Sequence, residues 1–231
     1  MFGSSRLEPD QLRRSAFFQK ISDSAFATLM ASGLSQRLPP GVILSQEGYL
    51  PSFMYLLTEG MIELFSNHDG RETTLTFITP VRSYSLGAII SNETYLESSR
   101  TLSSSQTIAF PAKTIRTLIE TEASFAQAIS GELADSNRRY VRELKNQKLR
   151  TALERLAAWI LKTDMLHGSS GKFRLGFGKR TLASLLGMTP ENLSRTFAIL
   201  KESGIHMSGR EISITRRGEL EQIAKLSQVI D

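Results

Sequence analysis

The 231-residue chain contains no cysteine. Disulfides, a Cys-ligated iron–sulfur cluster, a Cys-containing zinc site and a thiol nucleophile are therefore excluded. It has three histidines, His68, His167 and His206, far apart and without HxH or HExxH spacing. That scatter argues against a metal enzyme, which would need clustered imidazoles beside a carboxylate. No Ser-His-Asp spacing suggests acyl transfer either, so no enzymatic activity is expected. No apolar run approaches the ~20 residues that cross a bilayer. The opening MFGSSRLEPDQLRRSAFF has no apolar core of signal-peptide length. A cytoplasmic protein without a membrane partner is the expectation. With 40% hydrophobic and 22% charged residues, the composition is that of a globular protein of one large domain or two modest ones.

Charge of one sign is scarce in one half and abundant in the other. Residues 145–231 carry 15 Lys/Arg against 8 Asp/Glu, whereas residues 1–144 carry 13 against 15. A basic C-terminal part beside a slightly acidic N-terminal part fits nucleic-acid binding by the former. Chance variation between small domains gives the same asymmetry, so motifs must decide.

Residues 36–110 read as β-rich. VILSQ (42–46), FMYLL (53–57), MIELF (61–65), ETTLTFI (72–78) and TIAF (107–110) are short runs separated by turn formers. Ile62 with Leu64, and Leu75 with Phe77, give the clearest strand alternation. Asn67-His68-Asp69-Gly70 has hairpin chemistry, because Asp-Gly supplies positive φ at little cost. Such strands make a roll or sandwich. Residues 9–32 read as helical ahead of it, with Ser22 or Asp23 as a cap.

Pro111 opens a short helix, and a long one runs from Ser124 to Lys145 or beyond. Leu133, Asn137, Tyr140, Leu144 and Gln147 follow 4-3-4-3 spacing, with Ile129 and Val141 widening the stripe. This is a heptad-like seam. It fits a homodimer through Leu133, Asn137, Tyr140 and Leu144, or packing within the helix's own domain. A further helix, 149–163, turns a broad apolar face inward.

In residues 179–204, Leu182, Leu185 and Leu186 mark a short helix stopped by Gly187. Thr189 is an N-cap, Pro190 the first helical residue, Glu191 N2 and Asn192 N3. Leu193, Phe197 and Leu200 mark the buried side of that second helix. This is the grammar of a helix-turn-helix. Two short strands around Ser208-Gly209 form a wing, and a last helix spans 217–229. With Leu193 and Phe197 inward, Glu191, Ser194 and Arg195 are left to meet base edges in a major groove. Lys179, Arg180, Thr189, Asn192 and Arg210 are placed to position phosphates of double-stranded DNA.

The ordered set Leu38-Pro39-Pro40-Gly41, Gln46-Glu47-Gly48, Tyr55-Leu56-Leu57-Thr58-Glu59-Gly60 and Asp69-Gly70-Arg71-Glu72, followed by Thr189-Pro190-Glu191-Asn192-Leu193-Ser194-Arg195, resembles the Crp/Fnr family of bacterial transcription regulators over about residues 15–228. The resemblance implies an α+β architecture: a cyclic-nucleotide-binding-like β-roll with flanking helices (1–123), a dimerisation helix (124–148) and a winged helix-turn-helix (149–231). It implies that Glu191, Ser194 and Arg195 read a half-site like TTGAT, within a palindrome bound by a homodimer. RNA polymerase is a further partner in such systems.

Departures from the family pattern bear on the effector. Tyr84-Ser85-Leu86-Gly87 stands where cyclic-AMP receptors carry Gly-Glu-Leu-Gly, so Ser85 replaces the ribose-holding Glu. Arg100 is the nearby cation, followed by Thr101 rather than Ser. Leu86, Gly87, Arg100 and Thr101 are the candidate effector pocket, and cyclic AMP is not the expected ligand. Absence of cysteine excludes a sensing iron–sulfur cluster. Haem, responding to nitric oxide or another gas, stays open but no histidine selects it. An effector-independent regulator, a regulator responding to another small molecule, a β-roll metal enzyme and a dimeric scaffold without DNA binding are the alternatives carried forward.

Overall fold

The structure, a computed structural model, describes residues 12–231. Its first half is built on eight strands: β1 (Leu34–Leu38), β2 (Ile43–Ser45), β3 (Phe53–Glu59), β4 (Ile62–His68), β5 (Arg71–Ile78), β6 (Arg82–Ser83), β7 (Ser98–Thr101) and β8 (Ser105–Pro111). They form two antiparallel four-stranded sheets, ordered β1-β8-β3-β6 and β2-β7-β4-β5. The β4–β5 hairpin closes as its sequence dictates. Asp69 (φ 51°) and Gly70 (φ 74°) both adopt positive φ, and the Asn67 side chain accepts from the Gly70 N–H at 3.2 Å. Two positive-φ residues match the twist of the flanking strands.

Strand alternation is altered in β5. Opposite Leu64 and Phe65 stand Thr76 and Thr74, so Leu75 is the extra residue of a bulge. A bulge shifts the pleat by one residue. Thr74 and Ile78 therefore turn inward, Leu75 is 41% exposed, and the expected Leu75–Phe77 face does not form.

The helix expected over 9–32 is broken, and residues 9–11 lie outside the described residues. Leu12–Arg13 are helical, a turn follows, and a 3-10 segment occupies Phe18–Lys20. Helix α1 (Asp23–Ser32) starts afresh at Ser22, whose side chain caps the Ala25 N–H. Phe18, Ile21 and Leu29 pack with Phe110, Ile115 and Phe125 into one core. That core also takes in helix α2 (Leu86–Ser91), α3 (Ala112–Thr121) and the start of α4 (Ala123–Leu149). Ile129 belongs to it and is 3% exposed, so it does not widen an outward seam. A second cluster, Leu57, Ile62, Leu64, Ile78 and Tyr84, with Leu44 and Tyr55 against it, fills the roll between its strands.

The chain divides into two compact units, the first ending at Ser136 and the second spanning Asn137–Asp231, so the boundary falls inside α4. In the second unit α5 (Ala152–Leu166) starts three residues later than expected. Thr151 and Glu154 form a reciprocal capping box, which fixes the helix start. The rest comprises β9 (Lys172–Arg174), α6 (Lys179–Leu185), α7 (Pro190–Glu202), β10 (Ile205–Ser208), β11 (Glu211–Ile214) and α8 (Arg217–Ala224). The last helix stops five residues short of the expected end, at a left-handed Lys225. Strand β9 joins the wing as a third strand, in the order β10-β11-β9. Trp159 meets Phe173 and Phe177 edge-on, both at 6.3 Å, tying α5 to that sheet's side of the core.

Candidate nucleic-acid interface

Helices α6 and α7 are joined by a tight turn at Gly187, whose φ of +62° suits glycine. A Cβ there would lie 2.5 Å from Gln147 Oε1, the mobile end of a long side chain, so it is the backbone conformation that calls for glycine. The turn is braced from behind. Arg155 donates through Nε to the Leu186 carbonyl at 2.9 Å and through a terminal nitrogen to the Arg150 carbonyl at 2.7 Å. Gln147 donates to the Leu185 carbonyl at 3.4 Å. These positioning residues escape sequence reading because their partners lie 31 and 38 residues away.

Thr189 caps α7 by accepting from the Asn192 N–H at 3.1 Å, and Pro190 occupies the first turn. Leu193, Thr196 and Leu200 are the buried residues of the helix. Phe197, expected inside, is half-buried. Thr196 takes the inward place instead, because its hydroxyl can donate to the Asn192 carbonyl at 2.8 Å and so enter the interior satisfied.

Glu191, Ser194 and Arg195 are all exposed. Their i, i+3, i+4 spacing sets them on one face of the helix, within its first two turns. The Glu191 carboxyl is held below its ordinary range, first by the backbone N–H at the helix start, then by the Thr189 hydroxyl, with Arg195 and Arg180 adding to it. It is therefore a charged acceptor at neutral pH. Ser194 donates its proton to the Pro190 carbonyl at 2.9 Å, leaving its oxygen lone pairs to accept from a base amino group. Lys179, Arg180, Asn192 and Arg210 are exposed as well. The Thr189 hydroxyl is already engaged, as acceptor from Asn192 and in a bond with Glu191, so it would have to exchange partners before it could bind a phosphate. Lys172 and Arg174, which sequence reading passed over, are exposed on β9, where they pair in register with Ser213 and Glu211 of the wing. The alternation Lys-Phe-Arg around buried Phe173 was the available signal.

On α4, Leu133 is 36%, Tyr140 56% and Leu144 55% exposed, and Asn137 is exposed too. Gln147, expected as the next seam position, is half-buried and turned to the Leu185 carbonyl. The apolar stripe thus stops one position earlier.

Of the four residues expected to form an effector pocket, Arg100, Thr101 and Leu86 are engaged within the protein and Gly87 is exposed. Arg100 donates to Glu63 through Nε at 2.7 Å and to both Glu72 oxygens at 2.7 and 3.1 Å, and its guanidinium lies 4.3 Å over the Phe65 ring. Glu63 is 1% exposed, so Arg100 balances a buried carboxylate rather than waiting for an anion. The Thr101 hydroxyl donates to the Pro39 carbonyl at 2.6 Å and accepts from the Val42 N–H at 3.0 Å. Leu86 lies in the core, while Gly87 is exposed. Ser85 donates to Glu97 at 2.5 Å. Among the described residues no group of three His, Cys, Asp or Glu could hold a metal ion, and no helix is long and apolar enough to cross a membrane.

Comparison with known proteins follows this division. The pattern of the cyclic nucleotide-binding domain matches residues 35–122, and that of the Crp-like helix-turn-helix domain matches residues 154–223. No curated protein matches the chain in sequence. Among solved structures, FixK2 from Bradyrhizobium japonicum is similar with a TM-score of 0.74 at 18% identity, covering 84% of this chain and 98% of that one. A transcriptional regulator of the Crp/Fnr family from Eubacterium rectale gives 0.76 at 16% identity, covering 92% and 99%. A CooA mutant from Carboxydothermus hydrogenoformans gives 0.71 at 14%, covering 97% and 98%. At these identities the structural likeness concerns the fold.

Proposed function

Since this chain belongs to the Crp/Fnr family of DNA-binding transcription regulators, we propose that it works as a homodimer reading a TTGAT-like palindrome, with no cyclic nucleotide required. The observation that carries the reading is the single exposed face of α7. It presents a carboxylate, a hydroxyl and a guanidinium within the first two turns of a capped helix. Such a helix fits the major groove. Arg195 donates two bonds to a guanine, Glu191 accepts from a cytosine amino group, and Ser194 serves either kind of base. Lys179, Arg180, Arg210 and, after exchange of its partners, Thr189 hold phosphates. Asn192 assists them from N3.

A two-fold palindrome asks for a two-fold protein. The exposed stripe Leu133, Asn137, Tyr140 and Leu144 supports a dimer through α4, with Asn137 bonding across the seam. Half-sites one turn apart require recognition helices roughly 34 Å from each other. Replacing Leu144 with glutamate should shift the protein towards monomer in analytical sedimentation. An unchanged profile would remove this seam.

Two features support independence from a cyclic nucleotide. A cyclic phosphate needs an uncommitted cation, and Arg100 is held by two carboxylates. The roll interior already contains the Tyr84 ring, 5% exposed and stacked on Tyr55, with its hydroxyl 3.1 Å from Ser99 Oγ.

The test is a salt-controlled titration of a TTGAT-N4-ATCAA duplex, with protein alone and with cyclic AMP, haem or nitric oxide added. Tight binding by protein alone, unchanged by any addition, is expected. Binding that appears on adding one of them would overturn the effector-independent reading and identify the signal. The Lys179→Ala variant should weaken specific and random duplexes alike and lower the slope of log affinity against log salt by about one. A loss confined to the specific duplex would reassign Lys179 from phosphate to base.

A further inference from the structure

A cleft of about 380 Å³ opens on the first unit between β2, the connection after it and the start of β3. Its lining joins the large side chains of Ile43, Tyr49, Phe53, Tyr55 and Tyr95 with the polar Ser45, Gln46 and Ser52. It takes in none of the residues expected to hold an effector.

The walls are tied together rather than left to collapse. Tyr95 donates through its hydroxyl to the Phe53 carbonyl at 3.0 Å and through its N–H to the Tyr49 carbonyl at 3.0 Å, while its own carbonyl accepts from the Gly48 N–H at 2.8 Å. The base is held by the Ser45–Ser99 hydroxyl pair at 2.6 Å. A preformed cleft spares an incoming molecule the ordering cost.

The rim leaves large apolar groups in water: Tyr49 and Leu50 are each 63% exposed and Ile43 50%. No Asp, Glu, Lys, Arg or His lines the cleft, and the charges nearest in sequence point elsewhere. Glu47 accepts from the Ser66 hydroxyl, Glu97 accepts from Ser85, and Arg100, opposite Ile43 in the sheet, is paired with Glu63 and Glu72.

Of the lining side chains that offer a polar group, Gln46, Tyr49 and Ser52 are exposed to water, and Tyr55 is half-buried. The Tyr55 hydroxyl takes part in none of the hydrogen bonds among the described residues, although its ring is fixed between Phe53 and Tyr84. Burial raises its pKa, so the phenol keeps its proton and is a donor at neutral pH.

We infer that this cleft is a binding site for a neutral, planar aromatic molecule of one or two rings, carrying an acceptor that bonds the Tyr55 hydroxyl. Its volume stands near the lower end for small-molecule sites. Rings stack well on Tyr and Phe walls, and an anion or cation would find no charged side chain in the lining to pair with.

Quinoline is a suitable probe, being bicyclic, neutral at pH 8 and an acceptor through its ring nitrogen. With the full chain, saturable binding is expected in protein-observed NMR, with shifts at Tyr49, Tyr55 and Tyr95. Tyr55→Phe, which keeps the ring packing, should weaken quinoline about fivefold and leave naphthalene-like hydrocarbon binding unchanged. Quinoline-2-carboxylate should bind at least about tenfold more weakly than quinoline. Failure of quinoline to saturate, equal binding of the carboxylate, or an unchanged affinity in Tyr55→Phe with intact spectra would each overturn the assignment. The TTGAT titration reads a different unit, so either proposal can fail alone.

Discussion

Replacing Arg195 with alanine should weaken binding to a TTGAT palindrome by ~1–3 kcal/mol per half-site, so that a dimer on two half-sites loses roughly twice that. The reason is geometric. Arg195 is exposed on the second turn of α7, beside a carboxylate held charged at the helix start. A guanidinium in that place offers two parallel donors matching guanine O6 and N7. Alanine removes both, and the helix is left undisturbed because Leu193, Thr196 and Leu200 carry its packing. The check compares the specific palindrome, a palindrome with the guanine replaced, and random DNA at one salt concentration. The variant should lose discrimination at that base while binding random DNA nearly as before. Equal losses on all three duplexes would mean that Arg195 touches phosphate.

Replacing Arg100 with alanine should cost about 3–5 kcal/mol of folding stability, the usual penalty for stranding a buried charge. The Glu63 carboxylate is 1% exposed. The Thr74 hydroxyl donates to one of its oxygens at 2.5 Å and Arg100 Nε to the other at 2.7 Å. Without the guanidinium, the carboxylate must stay charged in an apolar interior or take up a proton. Urea unfolding of the full chain measures the loss in the first unit. The double variant Arg100→Met, Glu63→Met should recover most of it, because replacing both partners of a buried pair by apolar groups is often neutral. A single variant as stable as the parent would show that Arg100 is not a structural cation, and would reopen it as a ligand for a phosphate.

These two arginines show how far local sequence goes. Arg195 was legible because its surroundings are local. The Thr189 cap, Pro190 at the first helical position and Gly187 at the turn all lie within eight residues of it. Helix phase alone then sets which side chains point outward. The β4–β5 turn and the wing were legible for the same reason, since Asp69-Gly70 and Ser208-Gly209 carry their own turn preferences. Arg100 was not legible, because Glu63 is 37 residues away and reaches it through sheet pairing. Strand β7, Ser98-Ser99-Arg100-Thr101, was missed because its buried residues are serine and threonine. They are satisfied by hydrogen bonds such as Ser45–Ser99 and give no apolar alternation to read. The bulge at Leu75 defeated alternation where it was most regular.

The exposed seam on α4 divides the same way. Its spacing is a property of the sequence, and Leu133, Tyr140 and Leu144 lie exposed as that spacing suggests. Which residues leave the stripe was a matter of neighbours: Ile129 enters the roll core and Gln147 turns to the Leu185 carbonyl.

By itself, the amino-acid order determined the helix-turn-helix, the wing, the roll-like strands and which side chains α7 leaves exposed in its first two turns. Each of these depends on dihedral preferences and periodicity within a few residues. Only the tertiary structure decided which charges are already spent, which aromatic rings fill the roll and where a cleft opens. Those depend on contacts between residues tens of positions apart, and a buried ion pair or a cavity wall exists only once such residues have been brought together.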